Sequence, residues 1–159
     1  MTVQLTTNQV WREVSRQIFA VLATVAANNE PRSSGVVYTV RDHTLYICVE
    51  RSSWKARHIA YSPNVSLTVT IRKRVPFFPW IRIPPATISF QGEATIHDLA
   101  DIPAEVCKAL LRGLETPPDI ASRICFLRVK PRGRFLTYGV GVSLWTMRKP
   151  EQARGHAPV

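Results

Sequence analysis

The sequence predicts a mainly β chain: an antiparallel barrel or sandwich of about six to seven strands with a few short helices. Three observations carry this. Short β-rich runs recur along the chain between compact turn signals, only a few short stretches read as helix, and the helices do not alternate with strands as βαβ units require. The 159 residues suit one domain that can bury a sizeable core.

The first element is a helix. Thr6-Thr7-Asn8-Gln9 offers an N-cap, with Gln9 three residues after Thr6 as in a capping box. Val10, Val14 and Ile18 then recur at helical spacing, so all three are expected to face the core. Ala20 to Ala26 reads as a buried strand, and Asn28-Asn29-Glu30-Pro31 as a turn. Ser33 to Val40 and Thr44 to Val49 form a hairpin joined by Arg41-Asp42-His43. Ser52-Ser53 caps a short helix, Trp54 to Tyr61, which Pro63 forbids from continuing.

Asn64 to Arg72 alternates, with Val65, Leu67, Val69 and Ile71 on one face. Another strand runs from Thr87 to Ile96, and a second helix is expected over Asp101 to Leu111, with Pro103 in its first turn. Asp98 and Asp101 read as capping groups. Ile124 to Val129 and Phe135 to Val140 read as two separate strands. Residues 1–150 are taken as a single domain with an insertion loop at 72–86, and 151–159 as a polar C-terminal tail.

The net charge of +10 attracts anions of any kind, but it is spread along the chain, which weakens a nucleic-acid reading. No nucleic-acid partner is expected. Neither GxGxxG nor GxxxxGK[ST] is present. The three cysteines, Cys48, Cys107 and Cys125, have no metal-ligand spacing. Their odd number argues against a disulfide framework and for a reducing, cytoplasmic setting. The start lacks a basic n-region and an apolar h-region, so no secretory signal is expected.

The stretch Glu50-Arg51-Ser52-Ser53-Trp54-Lys55-Ala56-Arg57-His58-Ile59 is the most informative. Free N–H groups at a helix start, two hydroxyls, Lys55 and Arg57 together suit a phosphate. Plain capping by Ser52 or Ser53, with solvated cations behind, accounts for the same residues. His58 reads as structural, as a neighbour of a bound phosphate or as a haem ligand; Cys48 reads as packing. The aromatic-basic segment 72–85 has three readings: a lid, an interface filler or a peripheral membrane contact.

Leu22-Ala23-Thr24-Val25, Pro31-Arg32-Ser33-Ser34-Gly35, the strand from Leu45 to Val49, Ser53-Trp54-Lys55-Ala56, Pro63-Asn64-Val65-Ser66-Leu67 and Phe90-Gln91-Gly92-Glu93-Ala94 follow one another in order. In that order and spacing the chain resembles the pyridoxamine 5′-phosphate oxidase-like superfamily over roughly Trp11 to Asp98. The resemblance implies a split β-barrel that forms a homodimer, holds FMN between its subunits and passes electrons to a small-molecule substrate. It places the cofactor phosphate at Lys55 with Ser53 beside it. It runs Arg32, Ser33, Ser34 and Gly35 past the flavin ring, followed by Cys48 and Val49 on the next strand. Trp54 stands where true oxidases of this kind carry arginine, so that contact is missing or comes from Arg57 or Arg51. The end, Trp145-Thr146-Met147-Arg148-Lys149-Pro150, departs from the Arg-Leu-x-Pro segment of those oxidases, so vitamin B6 oxidation is not expected. Branches of the superfamily bind FMN, a deazaflavin coenzyme or haem.

Overall fold

The computed structural model describes residues 3–73, 77, 80, 83–113 and 116–159. A two-residue strand β1 (Val3–Gln4) precedes α1 (Thr7–Arg16), which carries the complete capping box. The Gln9 N–H donates to Thr6 Oγ1 at 3.2 Å, and the Thr6 N–H donates to Gln9 Oε1 at 2.8 Å. The helix buries Val10, Trp11 and Val14. Ile18 departs from expectation: Gln17 is already extended, so Ile18 lies beyond the helical period and is 66% exposed, while Trp11 takes the core position.

Strands β2 (Phe19–Val25), β3 (Pro31–Arg41) and β4 (Thr44–Glu50) follow. Asp42 and His43 both have positive φ, as the two-residue turn of a twisted hairpin demands. Then come α2 (Trp54–Tyr61), β5 (Asn64–Ile71) and β6 (Ala86–His97). The expected helix from Asp101 is shorter and later. A 3-10 turn spans Leu99–Asp101, Pro103 occupies the N-cap, and α3 covers Ala104–Leu110. Another short helix, α4 (Pro118–Arg123), was not anticipated.

The two closing strands are one continuous β7 (Ile124–Tyr138). Gly133, at φ +78°, takes the bend, and the register against β6 shifts between Ser89 and Gln91. Pro131 lies opposite Gly92, where an added Cβ would sit 2.8 Å from the Lys130 carbonyl oxygen, so only glycine fits this close approach.

The polar C-terminal residues 151–159 return to the sheet. After α5 (Pro150–Ala153), Arg154–Pro158 forms β8, antiparallel to β7 and parallel to β1. Its buried residues are Gly155 and Ala157, too small to signal a strand.

Strands β7, β4, β3, β2, β5 and β6 are neighbours in that order, and β6 pairs back to β7 to close an antiparallel barrel, with β8 and β1 added beyond β7. The core fills the barrel with Leu22, Tyr38, Leu45, Ile47, Leu67, Ile88, Leu127 and Phe135. A smaller cluster under α3 joins Tyr46, Phe126, Ile102 and Val106 on the outer face. Near one end of β3, the Tyr38 hydroxyl donates to the Val14 carbonyl of α1 at 2.6 Å, and Trp11 stacks on His43. At the other end, α2 covers the barrel through Ala56 and Ile59. Among the described residues no helix is long and apolar enough to cross a membrane.

Candidate functional site

The barrel is split between β3 and β4. Their ladder covers only Tyr38–Arg41 against Thr44–Ile47, whereas Pro31 to Val37 pairs with β2 alone. The Tyr38 N–H bonds the Ile18 carbonyl. Antiparallel alternation therefore turns the backbone groups of Val36 and Ser34 towards β2, and those of Val37, Gly35 and Ser33 into the split. The strand has an open polar edge there.

Next to that end of β3 stands the start of α2. Ser53 is its N-cap: Oγ accepts from the Ala56 N–H at 3.4 Å, and its carbonyl accepts from the Arg57 N–H at 3.2 Å. The N–H groups of Trp54 and Lys55 remain as first-turn donors at the positive end of the helix. Lys55 Nζ lies 4.8 Å from the Trp54 ring centroid, and the Arg32 guanidinium lies 5.9 Å from it. One indole thus gathers a cation from β3 and one from α2. Arg57 stays at the turn, donating to the Ser52 carbonyl at 3.2 Å. Arg51 leaves it: Nη2 donates to Asp98 Oδ1 at 2.5 Å and to the Ile124 carbonyl at 3.1 Å. Asp98 accordingly binds Arg51 and makes no capping bond with its side chain.

Thr24, buried on β2, shares a 2.9 Å hydrogen bond with His58 Nδ1, and the His58 ring packs against Trp54. This gives His58 a structural role. In the sequence Thr24 stands only within the Leu22-Ala23-Thr24-Val25 motif, with no role of its own attached to it.

The expected residues on β3 and β4 divide between faces. Arg32 and Ser34 share the inward face of β3 with Val36 and Tyr38, and Ser34 Oγ is buried without a hydrogen-bond partner. Ser33 and Gly35 lie on the outer face, where Gly35 meets the Phe19 ring. Val49 enters the barrel core, while Cys48 turns outward into the cluster beneath α3. Burial there pushes the Cys48 thiol up to about 11, with small additions from Cys125 and Cys107, so it is a packing group and a poor nucleophile.

Of the insertion, Arg74, Val75, Pro76, Phe78, Pro79, Ile81 and Arg82 lie outside the described residues, while Phe77 and Trp80 are exposed. Among the described residues no group of His, Cys, Asp and Glu could hold a metal.

A family model for pyridoxamine 5′-phosphate oxidase matches residues 7–133. No curated protein matches the chain. Solved structures similar to it include an F420 reductase, at 20% identity over 78% of this chain and 93% of that one, with a TM-score of 0.57. A haem-binding protein from Mycobacterium smegmatis matches at 18% identity over 84% of this chain, with a TM-score of 0.64; the chain spans 54% of that protein. A pyridoxamine 5′-phosphate oxidase-related, FMN-binding protein from Nostoc punctiforme PCC 73102 matches at 18% identity over 82% and 80%, with a TM-score of 0.53. At these identities the structural likenesses establish the fold.

Proposed function

The chain belongs to the pyridoxamine 5′-phosphate oxidase family, and on that footing we propose that it is a flavin-dependent oxidoreductase, holding FMN by its phosphate at the start of α2 and working as a homodimer. The observation that carries the proposal is the meeting of the two free first-turn N–H groups, Ser53 and Lys55 with the open edge of β3. Helix-start donors and a lysine match a phosphate monoester. The Ser33 and Gly35 backbone groups, free to donate and accept, match the polar rim of a flavin ring. The unpartnered Ser34 hydroxyl is a further spare donor beside them. The donor set therefore fits the group.

Bound there, the flavin supplies the hydride chemistry. The chain contributes orientation and charge: Lys55 and the helix start fix the phosphate, Arg32 and Trp54 wall the entrance, and His58 with Thr24 holds α2 in place. For the homodimer, the support is the outer face of β2 and β3. There Phe19 and Val37 stand exposed beside the small residues Ser33, Gly35 and Ala23. The reading includes a cytoplasmic, reducing setting, in keeping with three free cysteines.

Purified protein is titrated with FMN, a deazaflavin coenzyme and haemin, alone and in competition, and compared with Lys55→Ala. FMN is expected to bind most tightly, and Lys55→Ala to weaken it at least about tenfold by loss of a charged contact. Failure to take up FMN, or equal binding by Lys55→Ala, overturns the assignment.

A further inference from the structure

Two strands away from the split, the outer face of β6 and β7 carries a second concentration of cations. Along β6, Glu93, Thr95 and His97 point outward; opposite them on β7 stand Lys130 and Arg128, with Arg132 beyond. With Pro131 they line a groove of about 540 Å³. The acidic side chain in it is already engaged, because Glu93 pairs with Arg132 at 3.3 Å while Arg132 also donates to Asn64 Oδ1 at 2.6 Å. Among the described residues no carboxylate pairs with Arg128 or Lys130.

Arg128 is the unusual member. Its guanidinium packs 5.7 Å from the Tyr46 ring centroid at the margin of the cluster beneath α3, and its Nε is buried with no hydrogen-bond partner. A buried N–H of a charged group left unpaired is costly, and the arginine fork is shaped to receive two oxygens of one oxyanion. Lys130 lies two residues along the same face of the strand, about 7 Å away, within reach of the same ligand. Thr95 Oγ1, hydrogen-bonded to His97 Nε2 at 2.8 Å, adds a neutral polar wall.

We propose that this groove is an anion site for a phosphate-bearing small molecule, with Arg128 as the fork and Lys130 as the second cation. It shares no residue with the turn at α2, and its occupancy does not depend on the identity of the cofactor there. The groove accommodates a phosphoryl group with a modest organic part, and Glu93 at its rim, held by Arg132, sets a limit on negative charge at that end.

The test is calorimetric titration of the full-length protein with inorganic pyrophosphate, before and after saturation with FMN. The variants are Arg128→Gln and Lys130→Gln. In both states one pyrophosphate per chain is expected in the groove, weakened about tenfold or more in Arg128→Gln and in Lys130→Gln; a second site that FMN abolishes belongs to the turn at α2. Lys130 is exposed, so Lys130→Gln keeps the test open even if Arg128→Gln, which loses its packing on Tyr46, fails to fold. Wild-type affinity in Lys130→Gln, or loss of all pyrophosphate binding once FMN is bound, overturns the proposal. So does binding of a DNA duplex through these residues with no binding of pyrophosphate.

Discussion

Thr24 Oγ1 and His58 Nδ1 lie 2.9 Å apart, and their hydrogen bond ties α2 to β2 at the end of the barrel where the phosphate turn is proposed. Thr24 is almost wholly buried and His58 half-buried, so the bond is partly shielded from water. Thr24→Val keeps the volume and leaves the imidazole nitrogen without its partner. Stability should fall by about 1–3 kcal/mol, the usual cost of an orphaned buried polar group. FMN affinity should fall with it as α2 loosens. Urea unfolding and a flavin titration check the two effects. A stability loss with unchanged FMN affinity would show that the turn is held by other contacts.

Ser34 makes the opposite case. Its hydroxyl is buried and unpartnered, so in the absence of ligand Ser34→Ala removes an unsatisfied group and should leave stability unchanged or raise it by up to about 1 kcal/mol. If the hydroxyl serves the cofactor, the same variant should bind FMN several-fold more weakly. The pairing of a neutral or stabilising effect with weaker flavin binding distinguishes a ligand donor from a packing residue. Lower stability together with full FMN affinity would assign Ser34 to the core.

Much of this was legible in the sequence where one face of an element is apolar and its ends are marked. Helix α2 runs from Trp54 to Tyr61 as its Ser53 cap and Pro63 stop predict, and the β3–β4 hairpin turns at Asp42-His43. The sequence was silent where side chains are small or the chain bends without breaking. β8 buries only Gly155 and Ala157, and β7 carries Pro131 and Gly133, ordinary punctuation of a turn, inside one long strand. At the site, position in sequence did not determine the face. Ser33 and Ser34 are adjacent yet point to opposite sides of β3, and the Thr24–His58 bond spans 34 residues.

Gly35 offers a test of the homodimer. A Cβ there would lie 2.7 Å from the Phe19 ring, which sits half-exposed on the outer face. An exposed ring can swing aside, so Gly35→Val should cost the monomer little, at most about 1 kcal/mol. The displaced ring and the added side chain would instead disturb the apolar patch formed with Val37. The expected result is a shift from dimer to monomer in sedimentation velocity at micromolar concentration, with far-UV dichroism unchanged. A Gly35→Val dimer as tight as the wild type would move the interface elsewhere.

Cys48 gives a prediction at alkaline pH. Desolvation beneath α3 raises its thiol from an ordinary 9.0 to about 11. The folded chain therefore holds this proton more tightly than the unfolded one. The stabilisation is fully present below pH 9 and is lost as the pH rises through 11. Cys107 and Cys125 are raised as well, chiefly by burial, so they act in the same direction. The urea midpoint should decline over this window, and Cys48→Val, which keeps an apolar side chain in the cluster, should flatten the decline without abolishing it. At pH 8 only about 0.1% of Cys48 would be thiolate, so alkylation by iodoacetamide should run roughly a hundredfold slower than for an ordinary cysteine. Labelling at the ordinary rate would mean that α3 does not cover Cys48 in solution.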